Sequence, residues 1–436
     1  RDFCLSRGLG DVYKRQTLFY MLSGMVDTLM LSAVGDYAVG AVGTANSYIG
    51  IFIIMFSIIS SGMVSVMTQN IGAGRPGVAY QARQLGLLFN AVAGVLMAVF
   101  LFSGAGAILR MVGIADALYE PALIYLKIVG GGCILNAVIP IFSSYLRAFG
   151  YTKQPLYATI VGNIANFVMN AVFLFVLHKG VAGVATATVI SKILNLCIVL
   201  YFSHKLISAK NSTERIANKT VLGQIVKVGL PSACETALYN VAMMLVIRFL
   251  NQMDAEGLNV TARSYTATIS NFSYCVGAAL AQANAIMTGW HIGAGELEEC
   301  DRGTKRAAFV GVCVAVCMET AIVLGSGFIM PLFTDNPEMT ALVRKLLAID
   351  IVLEIGRVTN LVFGQALKTS GDAVFPAVIA AVFMFVFAVG GTWLFGISMG
   401  LMAVGAYIGL ASDECVRAVG MVWRWKTGKW RTKKLV

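Results

Sequence analysis

Charged residues are scarce in this sequence. Only 13% of its 436 residues are Asp, Glu, Lys or Arg, whereas 58% are hydrophobic, and the mean hydropathy is +0.78. A soluble domain normally has about a quarter of its residues charged. This composition excludes a soluble globular protein and predicts a chain that lies in a lipid bilayer.

The sequence also lacks the signatures of enzymes and of metal proteins. Its three histidines form no cluster, its nine cysteines have no metal-ligand spacing, and it contains no phosphate-binding loop or nucleophile elbow. We therefore predict that the protein is not an enzyme and that it needs no cofactor and no resident metal. Because the sequence contains no nucleotide-hydrolysis motif, any transport must be driven by an ion gradient or by a partner.

Twelve long apolar runs follow one another along the chain. Each is long enough to cross roughly 30 Å of hydrocarbon as a helix. The predicted spans are residues 17–33, 40–68, 84–110, 121–148, 155–178, 181–204, 223–250, 260–288, 307–333, 341–367, 374–397 and 401–424. The predicted fold is therefore an all-α integral membrane protein with 12 transmembrane helices.

A repeat at an offset of 221 residues divides these spans into two sets of six. The sequence Ile-Gly-Ala-Gly occurs at Ile71–Gly74 and again at Ile292–Gly295. The same offset pairs Leu146 with Leu367, Arg147 with Lys368, Gly150 with Gly371 and Pro155 with Pro376. We interpret this recurrence as an internal duplication. It predicts two homologous six-helix lobes related by a pseudo-twofold axis along the membrane normal.

The Lys and Arg residues predict the orientation of the chain. With the N-terminus in the cytoplasm, nineteen of them fall in the inner loops and the tail, and four fall in the outer loops. This is the bias that cytoplasmic loops show, so we predict a cell-membrane protein with both termini cytoplasmic. The net charge of +11 reports this orientation. Nucleic-acid binding would instead need a basic face on a soluble domain.

The predicted domains follow from these spans. Residues 1–16 are a leader, 17–204 the N-lobe, 205–222 a cytoplasmic linker, 223–425 the C-lobe and 426–436 a basic cytoplasmic tail. The leader is polar, but the offset aligns it with the start of the seventh predicted span. We therefore expect that it is a non-native segment in place of the native N-terminus.

Polar side chains in the first half form a candidate ion-coupling site. Asp27 lies near the middle of the first span, where a carboxylate that faces lipid costs about 2.5–3.5 kcal/mol. Asn163, Asn166 and Asn170 of the fifth span, at positions i, i+3 and i+7, share one helical face. These residues can line a cavity that holds a proton, or transiently Na⁺ at Asp27. The alternative is that they only bond neighbouring helices.

The second half has a candidate site of a different kind. At the offset of the three asparagines it carries Met384, Phe387 and Gly391. Its tenth span instead carries Asp350, Glu354 and Arg357 on one face, and Glu354 and Arg357 are close enough for a salt bridge. With Glu235 of the seventh span, these residues form a candidate substrate or proton site. The alternative is a fixed structural bridge.

Two further features concern the fourth and sixth spans. Pro140 lies inside the fourth span, where we expect a kink. Lys192 in the sixth span is an intramembrane cation, and the offset pairs it with Asp413. We interpret Lys192 and Asp413 as structural.

Several short motifs resemble those of the multidrug and toxic compound extrusion (MATE) transporters. They are GMVDTLML in the first span, TQNIGAG at the end of the second, YLRAFG before Pro155, GNIANFVMN in the fifth, and ALKTSGD before Pro376. The resemblance implies that Asp27 takes part in proton or sodium coupling and that Asn166 is the asparagine of the fifth helix. Asn170 stands where some members have an aspartate, and Glu235 is the counterpart of a glutamate in the seventh helix.

The resemblance implies a secondary antiporter that exports organic, often cationic, compounds in exchange for H⁺ or Na⁺ by alternating access. It also implies a monomer whose partners are a small organic substrate and the lipid bilayer. The first alternative is a flippase for lipid-linked precursors, which a cavity lined by Arg248, Arg263 and Arg357 would favour. A membrane-embedded enzyme and a channel are further alternatives, without a catalytic constellation for the first or a fixed pore for the second.

Overall fold

The computed structural model describes residue 30 and residues 36–112, 116–207, 214–253, 257–332 and 334–436. Within these ranges the chain is helical and contains no strand. The leader, Asp27 and most of the first predicted span lie outside the described residues. So do residues 208–213 of the predicted linker.

Twelve α-helices occupy the described ranges. They are α1 Asp36–Gly72, α2 Pro76–Val112, α3 Asp116–Gly131, α4 Cys133–Ala148, α5 Lys153–Ala171, α6 Gly180–Leu206, α7 Asn218–Met253, α8 Leu258–Ala294, α9 Leu297–Ile329, α10 Pro337–Ser370, α11 Val374–Phe383 and α12 Met402–Lys426. Short π-helical segments continue α5 at Val172–Val176 and α11 at Met384–Val389 and Thr392–Ser398. Two 3₁₀ turns follow α9 and α12, at Met330–Leu332 and Lys429–Thr432.

The chain divides into two compact units. The N-terminal unit ends at Gly229 and the C-terminal unit begins at Leu230, so the boundary lies inside α7. This helix begins at Asn218, before the predicted start of the C-lobe at residue 223. The predicted lobes and linker remain predictions, as does the arrangement of six spans in each lobe.

Seven of the described helices are long and apolar enough to cross a membrane, and a bent pair of helices can supply an eighth span. The long helices α8, α10 and α12 are not among them. These three helices contain many of the polar and charged residues of the C-terminal unit. The apolar helices establish a multi-pass membrane architecture, while the full set of twelve spans remains a prediction.

The bend in the fourth predicted span is not at Pro140. Pro140 lies within the continuous helix α4, whereas α3 and α4 meet at Gly131 and Gly132 with a bend of 42°. An added Cβ at Gly132 would lie 3.2 Å from Val189 Cγ2, and one at Gly130 would lie 2.9 Å from Leu101 Cβ. The two helices therefore change direction where small residues allow neighbouring side chains to approach, and a kink at Pro140 within α4 stays a prediction.

The repeated motifs end their helices in the same way. Gly74 and Gly295 both adopt positive φ, at 72° and 80°. In each case the glycine N–H donates to the isoleucine carbonyl three residues back, and the next N–H donates five residues back. Gly150 and Gly371 repeat this pattern with φ of 86° and 98°. A backbone conformation that favours glycine thus recurs at the offset of 221.

The offset between corresponding residues of the two copies becomes 222 from Leu394 onward. The N–H of Leu177 donates to the Val172 carbonyl, and the N–H of Met399 donates to the Leu394 carbonyl. In the same way, the N–H of Lys179 donates to Phe173 and the N–H of Leu401 donates to Phe395. Positive φ angles at His178 and Gly180 recur at Gly400 and Met402. The second copy therefore contains one additional residue between Pro376 and Leu394. The π-helical segment Met384–Val389 lies in this interval, as expected where a helix accommodates an inserted residue.

Candidate functional site

Helix α10 carries the charged trio predicted from the sequence. It begins at a capped end, where Asn336 Oδ1 accepts hydrogen bonds from the backbone N–H groups of Glu338 at 2.9 Å and Met339 at 3.3 Å. It continues without a break to Ser370. Asp350, Glu354 and Arg357 therefore keep the predicted helical spacing.

Close contacts at glycine hold α10 against its neighbours. A Cβ added to Gly356 would lie 2.7 Å from the backbone nitrogen of Cys415 on α12. On the other neighbours, a Cβ added to Gly277 of α8 or Gly311 of α9 would lie 2.7 or 2.8 Å from a methyl group of Val358. Glycine at these positions lets α10 approach α8, α9 and α12, and this brings its charged face to the charged face of α12.

Five charged side chains of α10 and α12 form one network. Arg357 donates to Glu354, and its Nε lies 3.7 Å from Glu414 Oε1. Arg417 binds Glu414 at 2.9 Å and both carboxylate oxygens of Asp413, at 2.6 and 3.0 Å. Glu414 thus lies between two guanidinium groups. Asn360 adds a neutral donor, with its Nδ2 3.1 Å from Glu414 Oε2.

Four of the five charged side chains are almost inaccessible to water, whereas the Arg357 side chain is 23% exposed. Glu354 has no exposed surface, and Asp413, Glu414 and Arg417 are 2, 7 and 5% exposed. Pairing in such a medium offsets the large cost of taking charges from water, and removal of one partner leaves the other uncompensated. The arrangement therefore depends on every member being present.

A cavity of about 340 Å³ lies beside this network within the C-terminal unit. Its charged lining consists of Asp350, Asp413, Glu414, Arg263 and Arg357, and its aromatic lining consists of Tyr239, Tyr274 and Tyr407. Three carboxylates thus face the cavity beside two guanidinium groups. The volume lies in the range of small-molecule sites.

A second cavity, of about 260 Å³, shares part of this lining. Tyr239, Tyr274, Arg357 and Glu414 line both cavities, and Arg357 lies 5.6 Å from the ring centre of Tyr274. The second cavity also contains the predicted residue Glu235 together with Lys368, Asn360 and Arg417. Glu235 Oε2 lies 2.7 Å from Lys368 Nζ, so this carboxylate has its own cation.

The asparagine stripe of the N-terminal unit is partly assembled. Asn166 and Asn170 are 6 and 1% exposed, and Asn170 Nδ2 donates to Asn166 Oδ1 at 3.1 Å. Asn163 is half-buried, and its Nδ2 has no hydrogen-bond partner among the described residues. Their relation to Asp27 lies outside the described part of the chain.

Lys192 is a half-buried cation of the same unit. Its Nζ donates to Asn136 Oδ1 at 2.8 Å, so a helix α6 side chain reaches a side chain of α4. With the offset of 222, Lys192 corresponds to Glu414, and with the offset of 221, Asn136 corresponds to Arg357. The pairing of Lys192 with Asp413 at an offset of 221 is one residue out of phase. It ignores the additional residue that lies between Pro376 and Leu394.

Sequence reasoning found one side of the network and missed the other. The direct bridge from Glu354 to Arg357 is present, and Asp350 lines the cavity with them. Glu414 and Arg417 were not singled out, although Asp413, Glu414 and Arg417 have the i, i+1, i+4 spacing of one helical face inside a predicted span. That spacing was the available signal.

The lining argues against the flippase alternative. Of the three arginines that would favour it, Arg263 and Arg357 line the cavity, whereas Arg248 is exposed and does not contribute to the lining. Carboxylates outnumber guanidinium groups there, and Arg357 is already paired. Among the described residues, no group of three or more His, Cys, Asp or Glu side chains is placed to hold a metal ion.

Helices long enough to span a bilayer, with cavities lined by charged residues between them, define a multi-pass membrane protein of the transporter class. The MatE family model matches residues 16–172 and 231–394. The chain therefore belongs to the MATE family of transporters, as the resemblance of its motifs implied.

Two curated relatives match nearly the whole chain. The uncharacterized transporter YisQ of Bacillus subtilis is 32% identical over 420 residues, which cover 95% of this chain and 92% of that protein. The probable multidrug resistance protein NorM of Thermotoga maritima is 20% identical over 434 residues, which cover 97% of this chain and 91% of that protein.

Solved structures of MATE transporters share the fold. A crystal structure of MATE in the straight conformation has a TM-score of 0.87 at 20% identity, covering 98% of this chain and 96% of that one. An outward-facing multidrug resistance MATE transporter has a TM-score of 0.89 at 19% identity, with the same coverage of 98 and 96%. A transporter of Pyrococcus furiosus, described as having a binding pocket of reverse polarity, has a TM-score of 0.81 at 19% identity and again covers 98 and 96%.

Proposed function

We propose that this MATE transporter is a secondary antiporter. It exports organic, often cationic, compounds in exchange for H⁺ or Na⁺, by alternating access between two six-helix lobes with twelve spans in all. The observation that carries this proposal is the cavity of about 340 Å³, in which three carboxylates, two guanidinium groups and three tyrosines face one space.

The lining suits an organic cation for two physical reasons. Asp350, Asp413 and Glu414 supply negative charge where little water is present to screen it. Tyr239 and Tyr274 supply aromatic faces, which attract cations and pack against flat apolar groups. The multidrug name of the Thermotoga relative supports the same class of substrate.

The exchange requires a group that responds to both substrate and ion. We place ion coupling at Asp27 with Asn163, Asn166 and Asn170. Glu235, Asp350, Glu354 and Arg357 form the substrate site of the second lobe. A site that binds the ion in one conformation and the substrate in the other couples the two fluxes, because each ligand stabilises the conformation that it prefers.

The predicted topology completes the proposal. We propose that the protein lies in the cell membrane with both termini in the cytoplasm, which the excess of Lys and Arg in alternate loops supports. We propose a monomer, since each chain contains its own cavity. The substrate enters from the cytoplasm or the inner leaflet and leaves on the opposite side.

Efflux from proteoliposomes tests the function directly. Vesicles loaded with ethidium are given either an imposed proton gradient or an imposed sodium gradient, and loss of the dye is followed by fluorescence. We expect efflux under one gradient, and we expect Asp27→Asn and Glu354→Gln to abolish it. Glu120→Gln, which changes an exposed carboxylate on α3, is the matched control.

Each outcome has a defined meaning. Efflux that persists unchanged in Asp27→Asn removes Asp27 from coupling and leaves the charged network as the coupling site. Absence of efflux under both gradients, with wild-type protein that is folded and inserted, contradicts the antiporter proposal.

A further inference from the structure

Glu319 is a buried carboxyl that does not line either cavity of the charged site. It lies on α9 and has no exposed surface. Neither of its carboxylate oxygens has a hydrogen-bond partner among the described residues. A carboxyl in this position is unusual because a buried acid normally has a donor or a cation beside it.

The groups that face Glu319 come from the two helices packed against α9. From α8 the hydroxyl of Ser273 faces it, and from α10 the charged neighbours are Asp350, Glu354 and Arg357. Ser273 has no exposed surface, and its hydroxyl is the neutral polar group nearest to the Glu319 carboxyl from this helix. Two carboxylates and one guanidinium group therefore surround Glu319 without bonding it.

Arg357 is not available to neutralise Glu319. Its guanidinium group already binds Glu354 and lies beside Glu414. An ionised Glu319 would therefore be a desolvated anion next to two further carboxylates, which is strongly unfavourable. A protonated Glu319 is uncharged and can donate its O–H to an oxygen nearby.

Asp350 connects Glu319 to the cavity. Asp350 lines the cavity, is 3% exposed, and has one oxygen, Oδ2, without a hydrogen-bond partner among the described residues. The hydroxyl of Ser270, which also lines the cavity, faces Asp350. Glu319, Ser273, Asp350 and Ser270 thus place four buried polar groups between α9 and the cavity.

We propose that Glu319 stores a proton behind the substrate cavity and releases it when an organic cation binds beside Asp350. Before binding, the proton sits on the Glu319 carboxyl. The arriving positive charge stabilises the carboxylate form, the proton leaves through Asp350 to the water of the cavity, and the carboxylate stays behind. One cation then replaces one proton without a change in buried charge. Glu319 is a positioning residue in this scheme, because it does not touch the substrate.

This inference rests on the proposed exchange of organic cations, and proton release on ligand binding tests it. Purified protein in a weakly buffered detergent solution is titrated with tetraphenylphosphonium, and a pH indicator records the protons released at a series of pH values. Glu319→Gln should release about one proton fewer per bound cation than wild type, so that its affinity depends less on pH. Glu319→Asp should release as wild type does, and Glu120→Gln is the matched control.

A second measurement detects the stored proton without transport. The infrared carbonyl band of a protonated carboxyl should be present in wild type, absent in Glu319→Gln and shifted in Glu319→Asp. Equal proton release in wild type and Glu319→Gln, or an unchanged infrared band, overturns the inference. Failure of wild type to bind tetraphenylphosphonium contradicts the proposed substrate class instead, and the infrared band then decides on Glu319 by itself.

Discussion

Two corresponding pairs of side chains differ in charge, and their later members have opposite signs. In the N-terminal unit Lys192 of α6 binds the neutral side chain Asn136 of α4 at 2.8 Å. In the C-terminal unit their counterparts are Glu414 of α12 and Arg357 of α10, an ion pair at 3.7 Å. The duplication retained an interaction between the same two helices and inverted the chemistry of the residue on the later one.

The helices themselves explain part of this difference. Gly356 lets the backbones of α10 and α12 touch, so the short side chain of Glu414 reaches the Arg357 guanidinium group of α10. At the offset of 221 the first copy has Leu135 in place of Gly356. Leucine does not allow the same backbone contact, because its side chain occupies the space that Gly356 leaves free.

The two units also differ in the number of carboxylate side chains that are buried in their described parts. Among the side chains that the structure describes, the N-terminal unit buries no carboxylate. The C-terminal unit buries Glu319, Asp350, Glu354, Asp372, Asp413 and Glu414. The described interior of the first unit therefore pairs its polar groups without carboxylates, whereas ion pairs with carboxylates organise the second.

Removal of one cation from each unit should give the largest contrast. Arg417→Met leaves Asp413 without its bidentate partner, and we expect the free energy of unfolding to fall by about 3–5 kcal/mol. Lys192→Met removes a cation whose bonded partner is neutral. We expect it to change stability by less than about 1 kcal/mol, or to stabilise the protein.

Equilibrium unfolding in mixed micelles, followed by far-ultraviolet circular dichroism, which reports the helices of both units, measures both variants. Arg302→Met, which removes an exposed ion pair with Glu299 on α9, serves as the control for loss of positive charge. Equal losses from Arg417→Met and Lys192→Met would show that the two units depend on buried charge to the same degree, and the contrast drawn above would be wrong.

The contact at Gly356 should give the next largest effect. Gly356→Ala adds a Cβ 2.7 Å from the backbone of α12, and the cost of overpacking should be about 2–3 kcal/mol. Gly364→Ala is the matched control on the same helix, since its Cβ would meet only Asn360 Oδ1 at 3.9 Å. Thermal unfolding compares the two. A Gly356→Ala variant as stable as Gly364→Ala would mean that α10 and α12 separate without cost.

The neutral hydrogen bond of the N-terminal unit should give the smallest effect. Asn170→Leu leaves Asn166 Oδ1 without its donor, which should cost about 1 kcal/mol. Thr392 is the counterpart of Asn170 at the offset of 222, and its hydroxyl bonds only the carbonyl of Ala388 in its own helix. Thr392→Val should therefore cost less than Asn170→Leu. The same unfolding measurement decides, and the reverse order would contradict the correspondence.

Local features of the fold could be predicted from the sequence because they depend on neighbouring residues. The Ile-Gly-Ala-Gly motifs end their helices at glycine with positive φ, and the i, i+3 spacing of Glu354 and Arg357 gives a salt bridge on one helix. Both follow from glycine's backbone freedom and helical periodicity, without reference to any distant part of the chain.

The rest of the site depends on which helices meet. The pairing of Arg357 with Glu414 requires the contact of α10 with α12 at Gly356, and no local pattern reveals that two helices touch there. The bend at Gly131 and Gly132 likewise depends on the close approach of Val189 to Gly132 and of Leu101 to Gly130. Pro140, the obvious local signal, does not reveal this bend.

The π-helical segment Met384–Val389 has a consequence for the angular phase of the second copy. An additional residue in a regular α-helix would rotate everything after it by about 100° about the helix axis. The π-helical turn takes up that residue, so the hydrogen-bond pattern at Leu394–Gly405 returns to that of the first copy. Because of this one π-helical turn, Glu414, and not Asp413, corresponds to Lys192. A comparison of the two copies that keeps the single offset of 221 therefore aligns the wrong face of α12 with α6.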